Sequence, residues 1–216
     1  MTKKTESKRN LDSMVRDELR KQIMTGELPN GAHLSEIKLS KEYNVSRTPV
    51  REALCALAAD GFIEMIPNRG AFVTTPSEEQ LADLRHMYGT LMGTAARMSA
   101  EVLSETDVAR LEKGLATMQD TSGTGFDDAR MEMHQTLLNA VPSKIFGELM
   151  STVINRLPQP VLLPVENSRQ RAEIVQGYTY LLAALKRQKG DVVEKSMREL
   201  MALSWESWTS EASVAA

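Results

Sequence analysis

The sequence predicts a mainly α protein in two parts, a small helical head that carries a β-hairpin and an all-α antiparallel helical bundle behind it. Three observations predict this. Apolar residues recur at helical spacing over nearly the whole chain. Only around residues 62–74 does the pattern turn extended, as two short β-prone runs on either side of a Pro-Asn-x-Gly turn. Thr75-Pro76-Ser77 then separates this first stretch from a long, purely helical remainder.

The elements follow in order. Residues 1–10 are polar, with four cations and no periodic apolar residue, and read as a disordered basic leader. Leu11, Met14, Val15, Leu19 and Ile23 make a helical stripe that should stop at Thr25-Gly26. Leu28-Pro29-Asn30-Gly31 is a turn. Ser35 is placed to cap a short second helix with Ile37, Leu39 and Tyr43 as its apolar contacts, and Asn44 suits its left-handed end. Ser46 is placed to cap a third helix, which has Pro49 in the first turn where no N–H is needed and runs to about Ala59. Val50, Leu54 and Leu57 form its apolar stripe, and Cys55 is expected to pack in the core. The extended runs are 62–66 and 71–74, with Pro67-Asn68-Arg69-Gly70 between them. Three helices and this hairpin make a winged helix-turn-helix spanning residues 11–75. Beyond the linker, Ser77 is placed to cap the first of six helices, expected at 77–102, 104–118, 126–140, 143–156, 167–188 and 190–212. The second has Ser104 as its cap and Asp107 at the third helical position. Together they fill a second domain at 77–213.

Size and charge narrow the function. A chain of 216 residues, 42% hydrophobic and 25% charged, can bury a real core. No apolar run approaches the roughly 20 residues that span a bilayer, and the start lacks the apolar segment of a secretory signal, so a cytoplasmic protein with no membrane partner is expected. The net charge is −3, but residues 1–75 hold 12 Lys/Arg against 10 Asp/Glu, +2, and the remainder 14 against 19, −5. That split alone fits a solvated surface as well as a nucleic-acid footprint. The start of the third helix says more. Ser46, Arg47, Thr48 and Arg51 crowd two cations and two hydroxyls onto one exposed end, where the free N–H groups and positive dipole suit phosphates and base edges in a DNA major groove. Asn68 and Arg69 would be carried at the hairpin tip, with Gly70 allowing close approach. No Ser/His or Cys/His constellation, phosphate-binding Gly-rich loop or Lys motif for a covalent cofactor stands at a recognisable spacing, and no enzyme is expected.

Leu28-Pro-x-Gly-x-x-Leu-x-Glu36, Val45-Ser-Arg-Thr-Pro-Val-Arg-Glu-Ala-Leu54, Leu57-x-x-Asp-Gly-Phe-Ile63 and Asn68-Arg-Gly-Ala-Phe-Val73 together resemble the GntR family of bacterial transcription regulators, over nearly all of residues 11–75. The resemblance implies that Ser46, Arg47, Thr48 and Arg51 contact DNA from the recognition helix and that Gly70 lies on the DNA at the wing tip. Where some relatives have Arg in the second helix this chain has Ile37, so that contact is lost or moved to Lys38. The helical half resembles the FadR-type C-terminal (FCD) domain, through Met133-His134-x-x-Leu137 and Leu185 leading into Gly190-Asp191. That resemblance implies a dimerising domain holding a small-molecule effector, with organic acids among the candidates, and hence a homodimeric repressor on a palindromic operator.

Relatives of this domain commonly hold a divalent metal through an Asp four residues before that His and two later His. Here Arg130 stands at the Asp position, Tyr178 where a His is expected, and no His lies beyond 134, so neither a metal nor another cofactor is expected. Arg130 and His134 either line a pocket and hold an anionic or polar ligand, or are a solvated Arg and a satisfied core His. Tyr88 and Met92 stand where relatives often face the cavity with Arg and Glu, which would make this cavity more apolar. The remaining alternative is a DNA-binding scaffold whose effector pocket has decayed.

Overall fold

The computed structural model describes residues 2–157, 165 and 167–211, with side chains at 11–157, 165 and 167–205. The described residues form two units, one within Met1–Leu84 and Ser151–Val161, the other within Arg85–Met150 and Leu162–Ala216.

The first unit opens with α1 (Thr2–Met24). The helix reaches back through residues 2–10, so the expected disordered leader is helical backbone instead. That stretch has no glycine or proline and is rich in Lys, Glu and Arg, which favour a helix even without an apolar face. Val15, Leu19 and Ile23 are buried, whereas Leu11 and Met14 lie exposed at the edge of the stripe. The short α2 (Glu36–Glu42) is capped by Ser35, whose Oγ accepts from the Lys38 N–H at 3.4 Å, and Asn44 follows it at φ 51°. Only Leu39 of α2 is fully buried; Ile37 is 53% exposed, against the expectation that it packs inward.

The third helix, α3 (Arg47–Ala59), packs on α1 and α2 and buries Pro49, Val50, Ala53, Leu54 and Leu57. Cys55 falls on the other side and is exposed, which corrects the core assignment: position 55 lies 200° round the helix from Leu57. Strands β2 (Ile63–Ile66) and β3 (Gly70–Val73) form the expected hairpin, in the register Ile63 to Val73 and Ile66 to Gly70. A strand the sequence reading missed, β1 (His33–Leu34), pairs antiparallel with β3 to give the order β1-β3-β2. Two residues are too few for an alternation signal. Phe62, Ile63, Ala71 and Val73 join the helical core from the sheet.

The first unit is also discontinuous in sequence. Asn155 donates to the Asp60 carbonyl at 3.0 Å, directly after α3, and the Arg156 side chain lies over Gly61. A Cβ at Gly61 would come within 2.7 Å of the Arg156 guanidinium, and φ there is +87°. A side chain at position 61 would be strained by this φ and would require the Arg156 side chain to move.

The helical part comprises α4 (Glu78–Ala100), α5 (Glu105–Asp120), α6 (Thr124–Ala140), α7 (Lys144–Ile154), α8 (Ser168–Lys186) and α9 (Gly190–Glu211). Ser77 and Gln80 bond reciprocally at the start of α4, and Ser104 with Asp107 forms the expected capping box on α5. The two bonds from Ser104 hold the Asp107 carboxyl below its ordinary range. Although Pro76 marks the linker in the sequence, the units divide inside α4, after Leu84. In the second unit α5 packs on α6 and α8, α8 packs on α9, and α4 meets α9 through Tyr88 and Trp205, whose rings are 5.6 Å apart. No helix among the described residues is long and apolar enough to cross a membrane.

Candidate functional site

The residues expected to meet DNA all lie in the first unit. Ser46 precedes α3 with extended backbone at the N-cap position, but its hydroxyl makes no capping bond, contrary to the role read from the sequence. Arg47, Thr48 and Arg51 are exposed, because the buried side of α3 is taken by Pro49, Val50, Ala53, Leu54 and Leu57. Lys38 is exposed on α2. Asn68, Arg69 and Gly70 form the exposed hairpin turn, with Asn68 at φ 61° and Gly70 at φ 103°. The Arg69 guanidinium sits 5.5 Å from the Phe72 ring centre.

Two neighbours of this set were not legible beforehand. Glu36, at the start of α2, accepts from the Arg47 guanidinium at 3.1 Å and joins the beginnings of α2 and α3. His33 on β1 stacks on Phe72, with centroids 4.8 Å apart, and its Nε2 would stand 2.9 Å from a Cβ at Gly70. Gly70 therefore serves the turn twice, through its positive φ and through the space it leaves for His33. The Glu36–Arg47 pair crosses 11 residues, beyond any helical i, i+4 signal.

The second unit brings together Tyr88 from α4, Arg130 and His134 from α6 and Tyr178 from α8, and Met92 is buried one turn beyond Tyr88 on α4; each is no more than 1% exposed. The His134 ring stands between two phenols. Its Nε2 is 2.5 Å from the Tyr178 hydroxyl and its Nδ1 3.3 Å from that of Tyr88. A neutral imidazole has one N–H and one lone pair, so one tyrosine accepts from the ring and the other donates to it. Burial, reinforced by the Arg130 charge, lowers the His134 pKa to about 3. Burial also pushes both tyrosine hydroxyls well above their ordinary value.

Arg130 is therefore the charge of this cluster. It donates to Asp127 Oδ1 at 3.0 Å and to Ser204 Oγ at 3.5 Å, and its guanidinium is 6.0 Å from the Phe126 ring centre. Burial raises the Asp127 carboxyl pKa, while Arg130 and a backbone hydrogen bond from Val165 act against that rise. Asp127 and Ser204 lie outside the residues that the sequence points to, although Asp127 at i−3 on the same helix is a pairing the spacing allows. The reading of Arg130 as a solvated residue is corrected: its side chain is wholly enclosed.

These residues do not fit a divalent metal. Both His134 nitrogens are engaged by tyrosines and a guanidinium lies on the same helix face. Among the described residues no group of three or more His, Cys, Asp or Glu stands together.

A pH dependence follows. The folded His134 pKa of about 3 lies below its ordinary 6.5, so its contribution to stability is complete above pH 6.5 and is lost as the pH falls towards 3. At pH 5 the loss amounts to about 2 kcal/mol. Urea unfolding at pH 7 and pH 5 is expected to show that difference shrinking by a similar amount in His134→Gln; an unchanged pH dependence would count against a buried neutral imidazole.

Residues 11–73 match the family model described as "Bacterial regulatory proteins, gntR family", and residues 83–203 match that described as "FCD domain". The chain is similar to the HTH-type transcriptional repressor RspR of Escherichia coli (strain K12), at 24% identity over 185 residues covering 84% of this chain and 81% of that protein. It is similar as well to the galactonate operon transcriptional repressor of the same organism, at 27% identity over 210 residues, 86% of this chain and 91% of that protein. Among solved structures, E. coli McbR/YncC shares the fold with a TM-score of 0.72 at 24% identity, covering 92% of this chain and 98% of that one.

Proposed function

The chain belongs to the gntR family of bacterial regulatory proteins, as a transcription regulator with a helix-turn-helix and an FCD domain, and on that basis we propose that it acts as a homodimeric repressor of a palindromic operator, released by a small-molecule effector. The observation that carries the DNA half is the exposed start of α3, where Ser46, Arg47, Thr48 and Arg51 stand together beside a wing ending in Asn68, Arg69 and Gly70. Lys38 adds a phosphate contact from α2. A single head offers few base contacts, and pairing two heads on one duplex multiplies affinity and specificity.

The effector half rests on Arg130. An enclosed guanidinium among Tyr88, Met92, His134 and Tyr178 favours a ligand with a carboxylate and hydroxyl groups, which bidentate and neutral hydrogen bonds can satisfy together. Such a ligand would bias the dimer between head spacings that fit and do not fit the operator.

A second reading is favoured by one specific observation. His134 is already satisfied by two tyrosines and Arg130 by Asp127 and Ser204, so the cluster can serve as a closed polar core in a regulator that answers to no effector.

Selection of binding sites by the full chain from a pool of randomised duplexes tests the first half. An inverted repeat bound by two copies is expected, and enrichment of no sequence would overturn the DNA-binding proposal. Thermal-shift measurements with sugar acids, hydroxy acids and aromatic carboxylates then separate the readings. A shift that Arg130→Lys abolishes supports an effector site, and firm operator binding without any shift supports the closed core.

A further inference from the structure

We propose that Ile37 reads a thymine methyl group in the operator, at the base pair next to the one Arg47 contacts. This rests on the DNA-binding reading above and adds an apolar reader to its set of cations.

Ile37 is the second residue of α2, 200° round the helix from the buried Leu39, and is 53% exposed. It has no place in the core of the first unit. Its neighbour Glu36 holds the Arg47 guanidinium at 3.1 Å, which sets the start of α2 beside the start of the recognition helix. Ile37 and Arg47 line the same groove of about 240 Å³, together with His33, Met65 and Gly70. Met65, from β2, is the other large apolar side chain exposed there, at 43%. The groove thus has an apolar wall between a recognition-helix cation and the wing.

A side chain without donors or acceptors cannot sort bases by hydrogen bonding. In a major groove it can sort them by one feature, the C5-methyl group that thymine alone among the four bases presents. The preceding helix of such a motif ordinarily crosses the DNA backbone; here Glu36 ties the start of α2 to Arg47 and Ile37 lines the same groove as Arg47, so Ile37 is carried to the edge of the major groove beside that cation. Burying one methyl group against an aliphatic side chain is worth about threefold to tenfold in affinity.

The test uses the full chain and a duplex it selects from a randomised pool. Each thymine of that duplex is replaced in turn by uracil, which lacks only the methyl group, and the affinities of the wild type and of Ile37→Ala are compared. At one thymine per half-site, uracil is expected to weaken the wild type about threefold to tenfold and to leave Ile37→Ala unchanged. Sites reselected by Ile37→Ala are expected to lose their preference for thymine at that position. Equal losses for both proteins at every thymine overturn the proposal while the DNA-binding reading stands, and the same holds if the reselected sites keep the thymine. Failure to select any site overturns both. Thermal unfolding of Ile37→Ala is expected to match the wild type, since an exposed side chain is removed.

Discussion

Arg130→Ala is expected to destabilise the helical unit by about 3 kcal/mol, the largest stability effect foreseen for any single polar side chain in this protein. The substitution empties a volume in which the guanidinium is completely enclosed, and it takes the paired guanidinium from Asp127, whose side chain is only 17% exposed and keeps the backbone hydrogen bond from Val165 and the more distant Arg171 charge. Breaking a buried pair by removing one partner costs more than the pair is worth, because the remaining charge keeps its desolvation penalty. In the variant the Asp127 carboxyl loses the guanidinium that holds it down, and its pKa is expected to rise further from its already raised position. The loss should therefore shrink towards acid pH, where Asp127 is protonated. Urea unfolding at pH 7 and at pH 5 measures both effects. The double variant Arg130→Met with Asp127→Leu should recover much of the stability while abolishing any response to carboxylate ligands. A double variant as unstable as the single one would show that shape, and not charge, is what the site requires.

Arg51→Ala is expected to weaken binding to a selected operator by about 1–3 kcal/mol, or roughly tenfold to more than a hundredfold, if its guanidinium grips a guanine edge. It is the cleaner reader to remove. Arg47 is engaged by Glu36 before any DNA arrives, so Arg47→Ala removes a contact and also frees a carboxylate at the interface. The outcome separates two roles. A base contact makes the loss depend on sequence at one position per half-site. A phosphate contact weakens all duplexes alike and lowers the salt dependence by about one released ion per head. Arg69→Ala, at the wing tip, is the natural comparison for the second pattern.

Much of this architecture could be read from residue types alone, because it rests on local signals. Ser104 with Asp107, Asn44 and the Pro67–Gly70 turn act within four residues, and the helices and hairpin they bound appear close to where they were expected. What escaped was set at longer range or by weak edges. The strand β1 exists because β3 offers it a partner. The side of α2 that Ile37 occupies and the side of α3 that Cys55 occupies are opposite the residues that fill the core, Leu39 and Leu57, and a short apolar list does not resolve a helix face. The helical cluster shows the same limit. Tyr88, Arg130, His134 and Tyr178 lie together, with Met92 buried one turn beyond Tyr88, yet Asp127 and Ser204 complete the cluster, the latter 74 residues beyond Arg130.

The hold that Asn155 and Arg156 keep on Asp60 and Gly61 bears on how the head can be handled. A fragment cut at the proline linker would lack the Asn155 and Arg156 side chains that meet the exit from its own recognition helix. Removing those two residues leaves the Asp60 carbonyl without its amide donor and uncovers the backbone at Gly61. The unit that holds the DNA-reading elements therefore extends past the proline linker to residues from the far end of α7. Experiments on truncated heads should measure a looser recognition helix than the one the whole chain presents.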